Sequence, residues 1–83
     1  MTRGEAYLLI DEERHQQHLR WDKHHAWGFG DCSSPDVDQT VKACVLTEET
    51  GEVCRAILEA DHEAVRRELA QVAAVCVAWL ESF

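Results

Sequence analysis

Residues 41–59 carry a helical apolar periodicity with three glutamates inside it. At about 100° per residue, Val41, Val45, Leu46, Val53, Ala56 and Ile57 gather on one broad arc. Glu49 falls near the middle of that arc, Glu52 inside its edge and Glu48 on its margin. A carboxylate carried into a core without a partner costs several kcal/mol or gives up its charge. The next segment repeats the arrangement. Glu68 lies within the arc of Val65, Leu69, Val72, Cys76, Trp79 and Leu80, with Gln71 at its edge. Two helices that turn acids toward one core require a cation site between them.

The break at Ala60-Asp61 is short, with Asp61 as an N-cap, so the two helices are antiparallel neighbours. Glu52 lies about nine residues before the turn and Glu68 about seven after it. At about 1.5 Å per residue, they reach nearly the same height along the hairpin.

Ahead of the hairpin, Thr2-Arg3-Gly4-Glu5 has capping-box spacing and predicts a helix over about 3–21. Ile10, Arg14, Gln17 and Trp21 share one stripe of it, flanked by Tyr7 and Glu13. That stripe reads either as a solvated face ending in an aromatic anchor or as the polar wall of a ligand cavity. Residues 22–37 read as an irregular loop, crowded with Gly28, Gly30, Asp31, Ser33, Ser34 and Pro35. Trp27, Phe29, His24 and His25 give this loop material for stacking on a base. A helix start at Ser34-Pro35 follows from a cap residue preceding proline, with Asp36 and Asp38 at the positive end of the dipole.

The expected fold is all-α: one domain over 1–83, with helices about 3–21, 35–59 and 62–82, the last two forming an antiparallel hairpin. The apolar surface of residues 41–83 exceeds what three helices can cover. Assembly into an oligomeric helical bundle, a homodimer or homotetramer, is the expected remedy.

A net charge of −8 and only eight basic residues, in no run, argue against binding a nucleic-acid polymer. The acidity suits a divalent cation that bridges to a small phosphorylated ligand. No segment has the apolar length to cross a membrane. Cys44, Cys54 and Cys76 sit in helical patterns without paired spacing and read as buried free thiols, and no secretory signal is evident. Both point to the cytoplasm.

Glu48-Glu49-Thr50-Gly51-Glu52 followed by Glu68-Leu69-Ala70-Gln71 resembles the signature of the MazG-like all-α nucleoside triphosphate pyrophosphohydrolases, Glu-Glu-x-x-Glu then Glu-x-x-Asp. Short phage and bacterial MazG-like proteins are closer still. They are similar in the helix Glu12-Glu13-Arg14-His15-Gln16-Gln17-His18-Leu19-Arg20-Trp21 and in the end from Arg67 to Leu80. The resemblance covers roughly residues 8–80. It implies Mg²⁺-dependent (or Mn²⁺-dependent) cleavage of a nucleoside triphosphate or related nucleotide to a monophosphate and pyrophosphate. It further implies Glu49, Glu52 and Glu68 as metal ligands, and Glu48 as the group that positions or deprotonates the attacking water. Gln71 stands beside them where the main signature has Asp, bringing an amide oxygen without charge. Arg14, Gln17, Trp21 and Lys23 are the candidates for holding substrate.

Two other readings compete. One is a catalytically silent helical interaction or regulatory module. The other is a transition-metal centre built from His15, His18, His24, His25 and Cys32, whose nitrogen and sulfur donors are of the right type. Against the latter, His15 and His18 face partly outward and Cys32 has no partner at a recognised spacing.

Overall fold

The computed structural model describes residues 1–83 and contains three helices: α1 (Arg3–Trp21), α2 (Gln39–Leu58) and α3 (His62–Glu81). Helix α1 opens on the expected capping box. Thr2 Oγ1 accepts from the Glu5 amide at 3.1 Å, and Glu5 Oε1 accepts from the Thr2 amide at 3.0 Å.

Helix α2 begins at Gln39 behind Asp38, not at Ser34-Pro35. Asp38 Oδ1 accepts from the Thr40 amide at 2.7 Å and takes the capping role. Ser34 is held in a turn instead. Its carbonyl accepts from the Val37 amide at 3.3 Å and from the buried Lys42 ammonium at 2.9 Å. Burial of the Val37 side chain then fixes the chain before the helix can start.

The loop is also more ordered than its composition predicts. Strands β1 (His24–His25) and β2 (Gly28–Phe29) pair antiparallel as a small hairpin, with His24 opposite Phe29. Gly30 follows at φ 108°, where an added Cβ would stand 3.0 Å from the Ser34 Cβ, so both conformation and space demand glycine.

Helix α3 is the common partner: it packs on both α1 and α2, whereas α1 and α2 do not pack on each other. Its inward face is made of Ala64, Ala70, Ala74, Val75 and Ala78. The arc predicted from large apolar residues is therefore displaced. Leu69 is 54% and Leu80 70% exposed, as is Ile57 on α2 at 60%. Small side chains won the interior because they let two helices approach one. The cysteines depart in the same way: all four are free, but Cys44, Cys54 and Cys76 are exposed and only Cys32 is buried.

The α2–α3 turn places Ala60 at φ 54°, in the left-handed region, with the Asp61 amide donating back to Ala56 O at 3.1 Å. Alanine there carries about 1–2 kcal/mol of strain. Glycine would relieve it while adding about 0.4–1 kcal/mol of unfolded-state entropy. Ala60→Gly is therefore expected to stabilise the chain by about 0.5–1 kcal/mol, a rise of several degrees in Tm by thermal unfolding. A fall in Tm would contradict this account of the turn.

Candidate metal centre and adjoining cavity

Antiparallel packing of α2 on α3 brings Glu49, Glu52 and Glu68 together, with one carboxylate oxygen from each lying within 4.8 Å of the others. Glu49 and Glu52 are one turn apart on α2, and Glu68 meets them from α3. Glu49 and Glu68 are half-buried while Glu52 is open to solvent. Gln71 stands one turn beyond Glu68, and its backbone carbonyl accepts from Gln17 Nε2 at 3.1 Å.

The electrostatics are those of crowded acids. Burial, followed by the charges of Glu52, Glu68 and Glu48, pushes the Glu49 carboxyl up to about 7. Burial also raises Glu68, as does Glu52, with which it can share a hydrogen bond only when one of the pair is protonated. Glu49 Oε2 and Glu68 Oε2 are buried with no hydrogen-bond partner. Orphaned, converging oxygens of this kind fit a divalent cation. An all-oxygen donor set suits a hard ion such as Mg²⁺ or Mn²⁺.

Beside the acids, the gap between α1 and α2 forms a cavity of about 240 Å³ over Val75 and Ala78 of α3. Glu48 and Glu49 line it on one side, Gln17, Trp21 and Trp27 on another. The two tryptophans are braced by His25. Its ring stacks on Trp27 at 4.2 Å between centroids and 11° between planes, and on Trp21 at 5.7 Å and 29°. Its Nε2 donates to the Trp21 carbonyl at 2.8 Å. Lys23 places its ammonium 5.8 Å from the Trp21 ring centre.

Arg14, a candidate for holding substrate, is buried and engaged, donating to Asp31 Oδ2 at 3.2 Å and to Glu81 Oε1 at 2.8 Å. Asp31 also accepts from Ser33, through its amide at 2.9 Å and hydroxyl at 2.5 Å, and pairs with His18 Nδ1 at 3.0 Å. Burial alone would raise the Asp31 carboxyl. The Ser33 hydrogen bonds, then His18 and the Arg14 charge, outweigh it and hold the carboxyl below its ordinary value. Asp31 gave no sign of this in the sequence, because its partners come from separate parts of the chain.

The alternative centre of His15, His18, His24, His25 and Cys32 is not assembled. The glutamate trio is the one group of three or more His, Cys, Asp and Glu side chains near enough to share an ion.

Residues 38–82, more than half of the chain, match the family described as the MazG nucleotide pyrophosphohydrolase domain. The match runs from the cap of α2 to the end of α3 and takes in Glu48, Glu49, Glu52 and Glu68. No curated protein and no solved structure matches the chain.

The raised Glu49 carboxyl has a consequence for stability. Between about pH 4.5 and 7 the folded metal-free chain holds a proton that the unfolded chain has released, so this site's contribution to stability falls as pH rises through that window. With chelator present, Glu49→Gln is expected to raise Tm at about pH 8 and to change it little at about pH 5. Added Mg²⁺ should stabilise the unaltered chain more at the higher pH. Equal Mg²⁺ stabilisation on both sides of the window would remove Glu49 from the site.

Proposed function

The chain belongs to the MazG nucleotide pyrophosphohydrolase family, and on that premise we propose that it hydrolyses a nucleoside triphosphate, or a related nucleotide, to a monophosphate and pyrophosphate with Mg²⁺. The observation that carries this reading is the convergence of Glu49, Glu52 and Glu68, two of them with orphaned oxygens, at the edge of an aromatic-walled cavity.

Glu49, Glu52 and Glu68 would hold the ion, with the Gln71 amide beside them. The bound ion would neutralise phosphate charge and lower the pKa of coordinated water. Glu48 shares the cavity wall with Glu49 and is exposed to solvent. It orients a water against the α-phosphorus and takes up its proton. The water oxygen bonds to that phosphorus, the bond to the bridging oxygen breaks, and pyrophosphate departs. Gln17 and Trp21 line the cavity that receives the nucleoside, and Lys23 stands over the Trp21 ring.

Pyrophosphate release across a panel of nucleotides with Mg²⁺ or Mn²⁺ tests the reading. Glu52→Gln should abolish Mg²⁺-dependent turnover, with helicity by circular dichroism unchanged. Full activity in that variant would refute the assignment. Failure of every nucleotide to react would leave the silent helical module as the reading.

The functional form is a homo-oligomer, dimer or tetramer, in the cytoplasm. Supporting this, only 13 of the 83 residues are buried, while Leu58, Leu80 and Phe83 are 87%, 70% and 84% exposed. No helix is long and apolar enough to cross a membrane. Sedimentation at micromolar concentration should show no dominant monomer. Trp21→Ala should raise KM about tenfold, since stacking contributes about 1–3 kcal/mol per base, with the sedimentation profile unchanged. Dissociation of the oligomer by this variant would make Trp21 an interface residue and place the base elsewhere.

A further inference from the structure

Gln17 lines the cavity, is only 7% exposed, and has one side of its amide already engaged. Its Nε2 donates to the Gln71 carbonyl of α3 at 3.1 Å. Turning the amide over would set its own oxygen against that carbonyl oxygen, so the contact decides which way the group faces. Oε1 is left as an acceptor that no donor of the chain supplies. Unlike the orphaned oxygens of Glu49 and Glu68, it is not sealed away, and the cavity is the space that Gln17 lines.

The other polar groups of the cavity wall are spent or of another kind. Both Asp31 oxygens are supplied by Arg14, His18 and Ser33. Trp27 Nε1 donates to the Gly30 carbonyl at 3.4 Å. The Trp21 indole N–H lies in the ring plane, out of reach of a base stacked on the ring face. Cys32 brings a thiol that burial keeps protonated, and a thiol is a weak donor. Glu48 and Glu49 bring carboxylates, assigned above to the water and the ion. Apart from the second Nε2 hydrogen of Gln17, the wall offers acceptors and no strong donor.

An exocyclic amino group is what such a wall can bind. Adenine and cytosine carry one, and hypoxanthine and uracil carry a carbonyl in its place. A carbonyl set against Oε1 forfeits the hydrogen bond and leaves two acceptors facing each other without water. Gln17 cannot turn its NH₂ toward that carbonyl without giving up Gln71. Its fixed orientation is what makes it discriminate.

We propose that Gln17 is the specificity-determining residue of the cavity, its Oε1 accepting from the exocyclic amino group of an adenine or cytosine base. The assignment rests on the pyrophosphohydrolase reading of the site and names its substrate class, amino-bearing nucleotides in preference to their deaminated counterparts.

Pyrophosphate release with Mg²⁺ tests it on two pairs, cytidine against uridine triphosphate and adenosine against inosine triphosphate. In the pair turned over faster, the amino member should lead by about tenfold or more in kcat/KM. Gln17→Met, of similar length but without the amide, should bring that ratio to within about twofold of unity. The change should lie in the KM of the amino member. Were Gln17 only a tether between α1 and α3, the variant would weaken both members alike and keep the ratio. Nitrogen–proton correlation spectra of the unaltered chain with Mg²⁺ give a readout that no folding defect of the variant can disturb. The Gln17 side-chain amide resonances should shift with the amino monophosphate of the pair and stay nearly in place with the oxo one.

Equal kcat/KM within both pairs would overturn the assignment, as would a lead for the oxo members. So would a ratio kept in Gln17→Met, or a Gln17 amide that responds to neither monophosphate or to both alike. In each of these cases a chain that still releases pyrophosphate keeps the pyrophosphohydrolase reading, and the role of Gln17 alone fails. If no nucleotide is hydrolysed, that reading fails, and the monophosphate spectra still decide whether Gln17 meets an amino-bearing base.

Discussion

Helix α3 is the one element that touches both other helices, and the small side chains of its inward face set the dimensions of everything around it. Ala70, Ala74 and Ala78 recur every fourth residue, so α1 and α2 can come close to its backbone on neighbouring sides. Because they do not then reach each other, a gap stays open over Val75 and Ala78 and becomes the cavity. The same approach carries Glu68 to Glu49 and Glu52. A larger side chain at Ala74, which is fully buried, would push one helix outward and enlarge the gap and the inter-acid distances together. Cavity and acid cluster are thus products of one packing decision.

Buried Asp31 and the half-buried pair Glu49 and Glu68 are treated in opposite ways. Both oxygens of Asp31 are supplied with donors from Arg14, His18 and Ser33, and its carboxyl is held below its ordinary value. Glu49 and Glu68 have neighbours of their own sign and an oxygen each with no donor, and both carboxyls are raised. Asp31 needs nothing further and acts as a clasp, joining α1 and the loop, with Arg14 extending the clasp to Glu81 at the end of α3. The glutamates are left wanting positive charge. A fold able to satisfy one carboxylate so completely, yet leaving three others crowded, has kept its repulsion where a cation can relieve it.

The hairpin, the three helices and the meeting of Glu49, Glu52 and Glu68 were legible in the sequence because they depend on local periodicity and matched helix height. Those properties survive without tertiary information. The ion pairs of Arg14 were not legible for the opposite reason: its partners lie 17 and 67 residues away, and no pattern of spacing announces them. The inner face of α3 was misjudged because hydropathy favours large residues while close helix approach favours alanine. The start of α2 slipped from Ser34 to Gln39 because a lysine eight residues on captured the Ser34 carbonyl. The order within the loop came from glycine conformations and aromatic stacking, which composition records only as turn residues.

The family match begins at Asp38, and this divides the proposed site along the chain. Glu48, Glu49, Glu52 and Glu68 fall inside the matched residues. Gln17, Trp21, Trp27 and the Asp31 clasp fall outside them, on α1 and the loop. The groups proposed to hold the metal are thus separate in sequence from most of the apolar and aromatic wall beside them, Val41 and Val45 of α2 and Val75 and Ala78 of α3 excepted. The aromatic wall is held by His25 and by Asp31 through Arg14 and His18, not by the glutamates. Its shape is therefore set by contacts other than those of the four site glutamates. The hairpin fixes the acids, while the leading helix and the loop shape the cavity from outside the match, so the two halves of the site are positioned by separate parts of the chain.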